Sequence, residues 1–323
     1  DVLTTVVGNY PKVGGKAPSL RTAIAQFETG RLTPEGLRQV EEQVTGEVIE
    51  EQVQAGIDII TDGQIRWEDG QTYFARRLRG FTINGLVRYF DTNTYFRQPV
   101  VEERVEWQGP VTVRDFLWAK AHSPKPVKPV ITGPYTLARL SQNRFYPDLR
   151  PLALNLAEAM NQEVKALEKA GASLVQVDEP ALLRYPHDLP LFREVAARLT
   201  RGVTVPLALF LYFRDIRPLY PDLFRLPFKT FGLDFVAGRG NFEVIRDFPS
   251  DRELGLGCMD GRNTRLETAE EIVGTVRRVA RVVSLKRLLL HPSCGLEFLP
   301  RENASKKLVR LVEGARKAQE VCG

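Results

Sequence analysis

An α/β fold of the (β/α)8, TIM-type barrel class is expected of this 323-residue chain on three observations. Eight short, nearly continuous apolar runs recur along it: LTTVVG (3–8), IDIITDG (57–63), KPVITGP (128–134), SLVQVDEP (173–180), VPLALFLYF (205–213), GLDFVAG (232–238), ELGLGCMDG (253–261) and RLLLHPSCG (287–295). Longer helical periods separate them, the alternation of a parallel α/β sheet. No glycine-rich phosphate turn follows the first run, which disfavours the rival doubly wound open sheet.

Each run is apolar almost throughout, as a strand covered on both faces should be. Gly56, Gly171 and Gly202 stand where a left-handed residue would close the helix before strands two, four and five. The helix over 149–170 shows its buried stripe in Leu149, Leu152, Leu156, Ala159, Met160, Val164 and Leu167, at spacings of three and four. Residues 70–125 break the alternation with β-formers and aromatics: TYFARRLRGF, VRYFDTNTYFRQPVVEERVEW and PVTVRDFLWAKA. They read as an insertion after strand two, β-rich and irregular, part hairpin and part short helix, near the C-terminal mouth. Residues 1–323 are then a single barrel domain carrying that insertion.

The charge balance excludes several classes of function. A net charge of +5, from 45 basic and 40 acidic residues, comes without any block of like charges, so a nucleic-acid arm is not expected. Three cysteines make no disulfide framework. The opening DVLTTVVGNYP reads as a strand and not as a signal peptide, and no apolar run is long enough for a membrane span. A cytoplasmic protein is expected.

In a barrel the chemistry sits at the C-terminal ends of the strands. The polar residues there are Asn9, Tyr10 and Lys12, Asp62 and Gln64, Thr132 and Tyr135, Asp178 and Glu179, Tyr212 and Arg214, Arg239, Asp260 and Arg262, and His291 and Cys294. Asp178 and Glu179 are the candidate acid or base. Adjacent carboxylates ending an apolar strand are costly unless bonded, and strand alternation lets at most one of them face the pocket directly. A salt bridge in the loop is the structural alternative.

A metal is not expected. Zinc needs three or four ligands, and of three His and three Cys only Cys258, His291 and Cys294 lie near adjacent strand ends. A buried Cys is more often a small hydrophobe, and His291 before Pro292 can cap a turn. Basic residues form the remaining feature: Lys12 and Arg21 flank the PKVGGKAPSLR loop, and Arg88 sits in the inserted segment. Guanidinium forks grip carboxylates, so a ligand with several carboxylates would suit them.

NYPKVGG, PSLR, RYFDTNTYFRQP, ITGPYTLA, VDEPALL, LYFRD, MDGRN and PSCGLEFLP, in that order over almost the whole chain, resemble the cobalamin-independent methionine synthase family. That family is a methyltransferase of methionine, hence amino-acid, biosynthesis with two related barrels. The likeness is to its N-terminal, folate-binding, zinc-free barrel, here as a stand-alone chain.

The resemblance implies transfer of a methyl group from 5-methyltetrahydropteroylpolyglutamate to homocysteine. It places Arg21, Arg88 and Lys12 on the folate, with Arg88 where the family has a Lys and Arg21 ending the family's R-E-L-K motif; Pro18 and Ser19 depart from that motif. Cys294 alone matches a family zinc-ligand position. The resemblance therefore implies a separate zinc-bearing catalytic barrel as partner. Two alternatives stand beside this reading: a pterin-binding or structural partner with no chemistry of its own, and a zinc-free enzyme of altered substrate.

Overall fold

A computed structural model describes residues 1–16 and 18–323. The chain runs through β1 (Leu3–Thr4), α1 (Leu20–Glu28), α2 (Pro34–Ala55), α3 (Gly70–Ala75), β2 (Leu78–Arg88) and β3 (Tyr95–Trp107). It continues through α4 (Val113–Ala121), β4 (Val130–Thr132), α5 (Pro134–Leu140), β5 (Gln142–Asn143), α6 (Leu149–Lys169) and β6 (Val175–Asp178). Next come α7 (Ala181–Arg184), α8 (Leu189–Thr200), β7 (Leu207–Leu211), β8 (Thr230–Asp234), α9 (Asn241–Val244) and β9 (Glu253–Met259). They are followed by α10 (Ala269–Ala280), β10 (Leu288–Pro292) and α11 (Arg301–Cys322). Two compact units result: Asp1–Arg66, Trp118–Val127 and Leu256–Gly323 in the first, Trp67–Leu117 and Lys128–Gly255 in the second.

In the first unit β1 pairs in parallel with β10, Leu3 opposite Leu289 and Thr4 opposite Leu290. Thr5 bridges to Ile59, and Ile60 bridges to Val127. Among the described residues the apolar run 57–63 makes only these single bridges, for a local reason. The buried side chain of Gln52, on α2, takes the place of a neighbouring strand: its Nε2 donates to the Thr61 carbonyl at 2.9 Å and its Oε1 accepts the Thr61 N–H at 3.1 Å. Helix α2 starts at Pro34 behind a Thr33 cap and stops at Gly56, whose φ of 89° suits glycine.

Helix α11 is anchored by a buried ion pair. Lys307 Nζ donates to Glu267 at 2.8 Å and to the Asp260 carbonyl at 2.7 Å, while Glu267 accepts the Asp260 N–H. Two charges can be buried here because each is hydrogen-bonded as well as paired.

In the second unit β4, β6, β7 and β8 lie side by side in parallel, with the start of β9 beside β8. Their register sets two rows across one face. Thr132, Asp178, Phe210 and Gly232 are aligned, and one step toward the N-terminal ends Val130, Gln176, Ala208 and Thr230 are aligned. Gly232 is required where it stands, since a Cβ there would lie 2.5 Å from the Phe210 ring. Parallel strands alternating with helices make this an α/β fold, the class expected of a (β/α)8 barrel.

The stretch after strand two holds α3, the antiparallel hairpin β2–β3 and the first part of α4, with β5 added parallel to β3. Glu163 of α6 is fully buried beneath it and accepts from the Val111 and Thr112 N–H groups and from Trp107 Nε1. The two backbone donors lie where the chain enters α4. Gly171 and Gly202 hold positive φ beyond α6 and α8, as Gly56 does beyond α2. Among the described residues no helix is long and apolar enough to cross a membrane.

Candidate functional site

The two adjacent carboxylates part company, as alternation requires. Glu179 is fully buried and turns to the start of α5, where its carboxylate accepts the Tyr135 N–H at 3.2 Å and the Thr136 N–H at 2.8 Å. It caps a helix that begins with Gly133 and Pro134 and has no side-chain cap of its own. Burial pushes Glu179 up to about 8, and the backbone donors of Tyr135 and Thr136 pull against that. The carboxylate thereby holds the start of α5.

Asp178 stays on the strand face. It is 9% exposed, at the C-terminal end of β6, with Thr132 beside it on β4 and Tyr212 just past β7. Gln176 Nε2 donates to its Oδ1 at 2.7 Å and the Tyr212 hydroxyl donates to its Oδ2 at 3.1 Å. Burial pushes its carboxyl up to about 7, while Gln176, Tyr212 and the charge of Lys128 pull it down. A carboxyl poised near neutrality, with both oxygens fixed, can accept and return a proton. Sequence reasoning named Thr132 and Tyr212 and missed Lys128 and Gln176.

An aromatic cluster adjoins this carboxyl. Phe213 follows Tyr212 with a left-handed φ of 82°, its N–H donating to Asp234 at 3.0 Å. Its ring lies 4.8 Å from Tyr212, 6.1 Å from Tyr89 and 5.7 Å from Phe90, the last two in the turn of the β2–β3 hairpin. Arg88, the last residue of β2, is exposed and spends its Nε on the Thr92 carbonyl at 2.6 Å. The hairpin turn is thereby stiffened by one of the expected folate contacts.

In the first unit, Arg21 is exposed on α1 and Lys12 is half-buried beyond β1. Asn9 meets the strand-eight turn, its carbonyl accepting the Leu296 N–H at 2.9 Å. Cys294 is buried there with its Sγ 3.4 Å from the Gly295 carbonyl, and the His291 ring Nδ1 is 2.6 Å from the Pro292 carbonyl. Among the described residues no three His, Cys, Asp or Glu side chains are grouped to hold a metal ion. Zinc is ordinarily held by three or four such ligands.

The family model described as the catalytic domain of the cobalamin-independent synthase matches residues 2–317. A methionine synthase from Saccharolobus solfataricus is 33% identical over 324 residues, covering 98% of this chain and 95% of that protein. One from Sulfurisphaera tokodaii is 34% identical over 319 residues, covering 98% and 92%. The chain belongs to the cobalamin-independent methionine synthase family. It is an enzyme of the methyltransferase class.

In fold this family member is similar to the B12-independent methionine synthase from Shewanella sp. W3-18-1, solved with selenomethionine, at a TM-score of 0.88 and 22% identity over 99% of this chain and 98% of that one. Two expectations shift. The matching family model is the catalytic-domain model, whereas the motifs had pointed to the N-terminal barrel. The methionine synthases matched are single chains of about this length, so a separate zinc-bearing partner barrel finds no support.

Proposed function

We propose that this family member makes methionine by moving a methyl group from a methyltetrahydrofolate-type donor to the sulfur of homocysteine, with Asp178 handling the proton. The carboxylate of Asp178 takes the thiol proton, the sulfur forms a bond to the methyl carbon, and the carbon–nitrogen bond of the donor breaks. The nitrogen keeps the electron pair and receives the proton from Asp178, so the reaction balances. A thiol is a poor nucleophile until deprotonated, which makes the proton acceptor the central requirement. The observation carrying this reading is the buried Asp178 carboxyl, held between Gln176 and Tyr212 and poised near neutral pH.

Arg21, Arg88 and Lys12 are proposed contacts for the donor's carboxylates, since guanidinium and ammonium groups suit them. The deciding experiment is turnover of homocysteine and methyltetrahydrofolate by the purified chain alone, followed as methionine formed. Methionine from the wild type and none from Asp178→Asn supports the reading. Full turnover by Asp178→Asn removes Asp178 from the mechanism. A second reading, a zinc-free enzyme acting on a different thiol, is favoured by the lack of three grouped His, Cys, Asp or Glu side chains among the described residues. The same assay with a panel of thiols separates the two.

A further inference from the structure

Lys128 is 1% exposed in the second unit, among the least accessible charged side chains of the chain. Its place follows from register. The Gln176 N–H already donates to the Pro129 carbonyl at 3.0 Å, so strand geometry begins before β4 proper. Counting by twos, Lys128 shares a face with Val130 and Thr132, and those are aligned with Gln176 and Asp178. A two-residue step along a strand is about 6.6 Å, close to the reach of a lysine side chain. Lys128 therefore starts two such steps below the level of Asp178. It lies 4.7 Å from the centroid of the Phe210 ring, and Phe210 is the residue aligned with Asp178 on β7.

An ammonium so deep is costly unless a negative charge or a ring face compensates it, and here both are present. The groups facing Asp178 are the Lys128 ammonium below, the Tyr212 hydroxyl from beyond β7, the Gln176 amide on its own strand and the Glu179 carboxyl behind. Of these only Lys128 brings a positive charge.

We propose that Lys128 is a positioning residue for the reaction, a built-in counter-ion that keeps Asp178 available as a carboxylate and fixed against Tyr212. The assignment rests on the reading of Asp178 as the proton acceptor. Burial drives Asp178 toward its neutral acid and Lys128 toward its neutral amine, and each holds the other in the charged form. The pair titrates as one system.

The test is infrared spectroscopy of the Asp178 carboxyl through a pH titration, with the band assigned by its loss in Asp178→Asn. In Lys128→Met the midpoint should move upward by about one pH unit or more, the effect of removing an opposite charge at close range. The acid limb of the activity profile should move in step, and Lys128→Arg should keep both nearer the wild type. An unchanged carboxyl midpoint in a folded Lys128→Met protein overturns the proposal.

The spectroscopic arm needs no turnover, so it stands apart from the functional reading. A shifted midpoint with full activity in Asp178→Asn supports the pairing and defeats the proposed mechanism. Should Lys128→Met not fold, the double variant with Asp178→Asn decides: recovery of folding supports the pair, and none assigns Lys128 to packing alone.

Discussion

Phe90 and Phe213 both hold left-handed backbone, at φ 49° and φ 82°, and their rings meet with centroids 5.7 Å apart. Neither is glycine, so each conformation costs roughly 1–3 kcal/mol and must be held by its surroundings. The contact joins the hairpin turn to the residue that follows Tyr212, the hydroxyl donor to Asp178. Strain is thus concentrated beside the proposed proton acceptor. A double-mutant cycle of Phe90→Ala and Phe213→Ala, measured by urea unfolding, should give a coupling of about 0.5–1.5 kcal/mol. The exposed Arg214–Asp91 ion pair across the same junction should contribute less. Strictly additive losses for the two phenylalanines would show that the rings do not hold the turn.

Glu179 should matter for stability more than for chemistry. In Glu179→Gln the amide nitrogen would face one of the two backbone donors it now accepts, at a cost of about 1–3 kcal/mol. Gly133→Ala should act through the same contact, because its Cβ would fall 2.0 Å from the Glu179 carboxyl. Denaturant midpoints read both. A Glu179→Gln protein of wild-type stability with lost turnover would return this carboxylate to the catalytic candidates.

How much of this was legible beforehand depends on the range of the interaction. The parting of Asp178 and Glu179 follows from strand alternation alone, and the hairpin shows as a break in the helical period. Lys128 opens the run KPVITGP at the end of the proline-rich stretch SPKPVKPV, and nothing there marks it as buried. The signal that could have found it is its two-residue spacing from Val130 and Thr132, on the face that carries Asp178 across the sheet. Gln52 likewise gives no sign that its amide serves the backbone of Thr61. The partner barrel was inferred from motifs, which do not report the length of the chains that carry them.

Asp178 gives a pH dependence whose sign is fixed. Its carboxyl is raised from 3.8 to about 7, chiefly by burial, so between those values the folded chain binds more protons there than the unfolded chain. Stability from this group is full at pH below about 4 and is lost as pH rises toward 7. Asp178→Asn, which cannot ionise, should therefore gain thermal stability over the wild type at pH 8 relative to pH 4. Calorimetry at the two pH values reads the difference, and the reverse sign would mean that the carboxylate is net stabilised in the fold. Turnover in the same variant should fall roughly 10²–10⁴-fold, the range for loss of a general base.

Elemental analysis of the purified chain should find zinc well below one atom per chain, since the described residues bring no three ligands together. Cys294→Ser should leave the metal content unchanged. A stoichiometric zinc lost in Cys294→Ser would establish a site that these side-chain positions do not form.

The donor's tail provides the last test. Arg21 is exposed on α1 and its side chain makes no hydrogen bond or ion pair among the described residues, while Arg88 commits only its Nε, to the Thr92 carbonyl. Both are therefore open to carboxylates in a way that the buried Arg301, bound to Glu47 and Glu51, is not. A well-formed charge-assisted contact contributes about 1.5–3 kcal/mol, and an exposed one typically no more than about 1 kcal/mol. Replacing either arginine by alanine should weaken binding of a triglutamate donor by roughly threefold to tenfold and that of a monoglutamate donor less. Added salt should shrink the gap, because exposed charges are screened. Calorimetric affinities for both donors, in wild type and in each variant, measure it. Equal losses for the two tail lengths would place the arginines elsewhere on the donor, and no loss would remove them from its binding altogether.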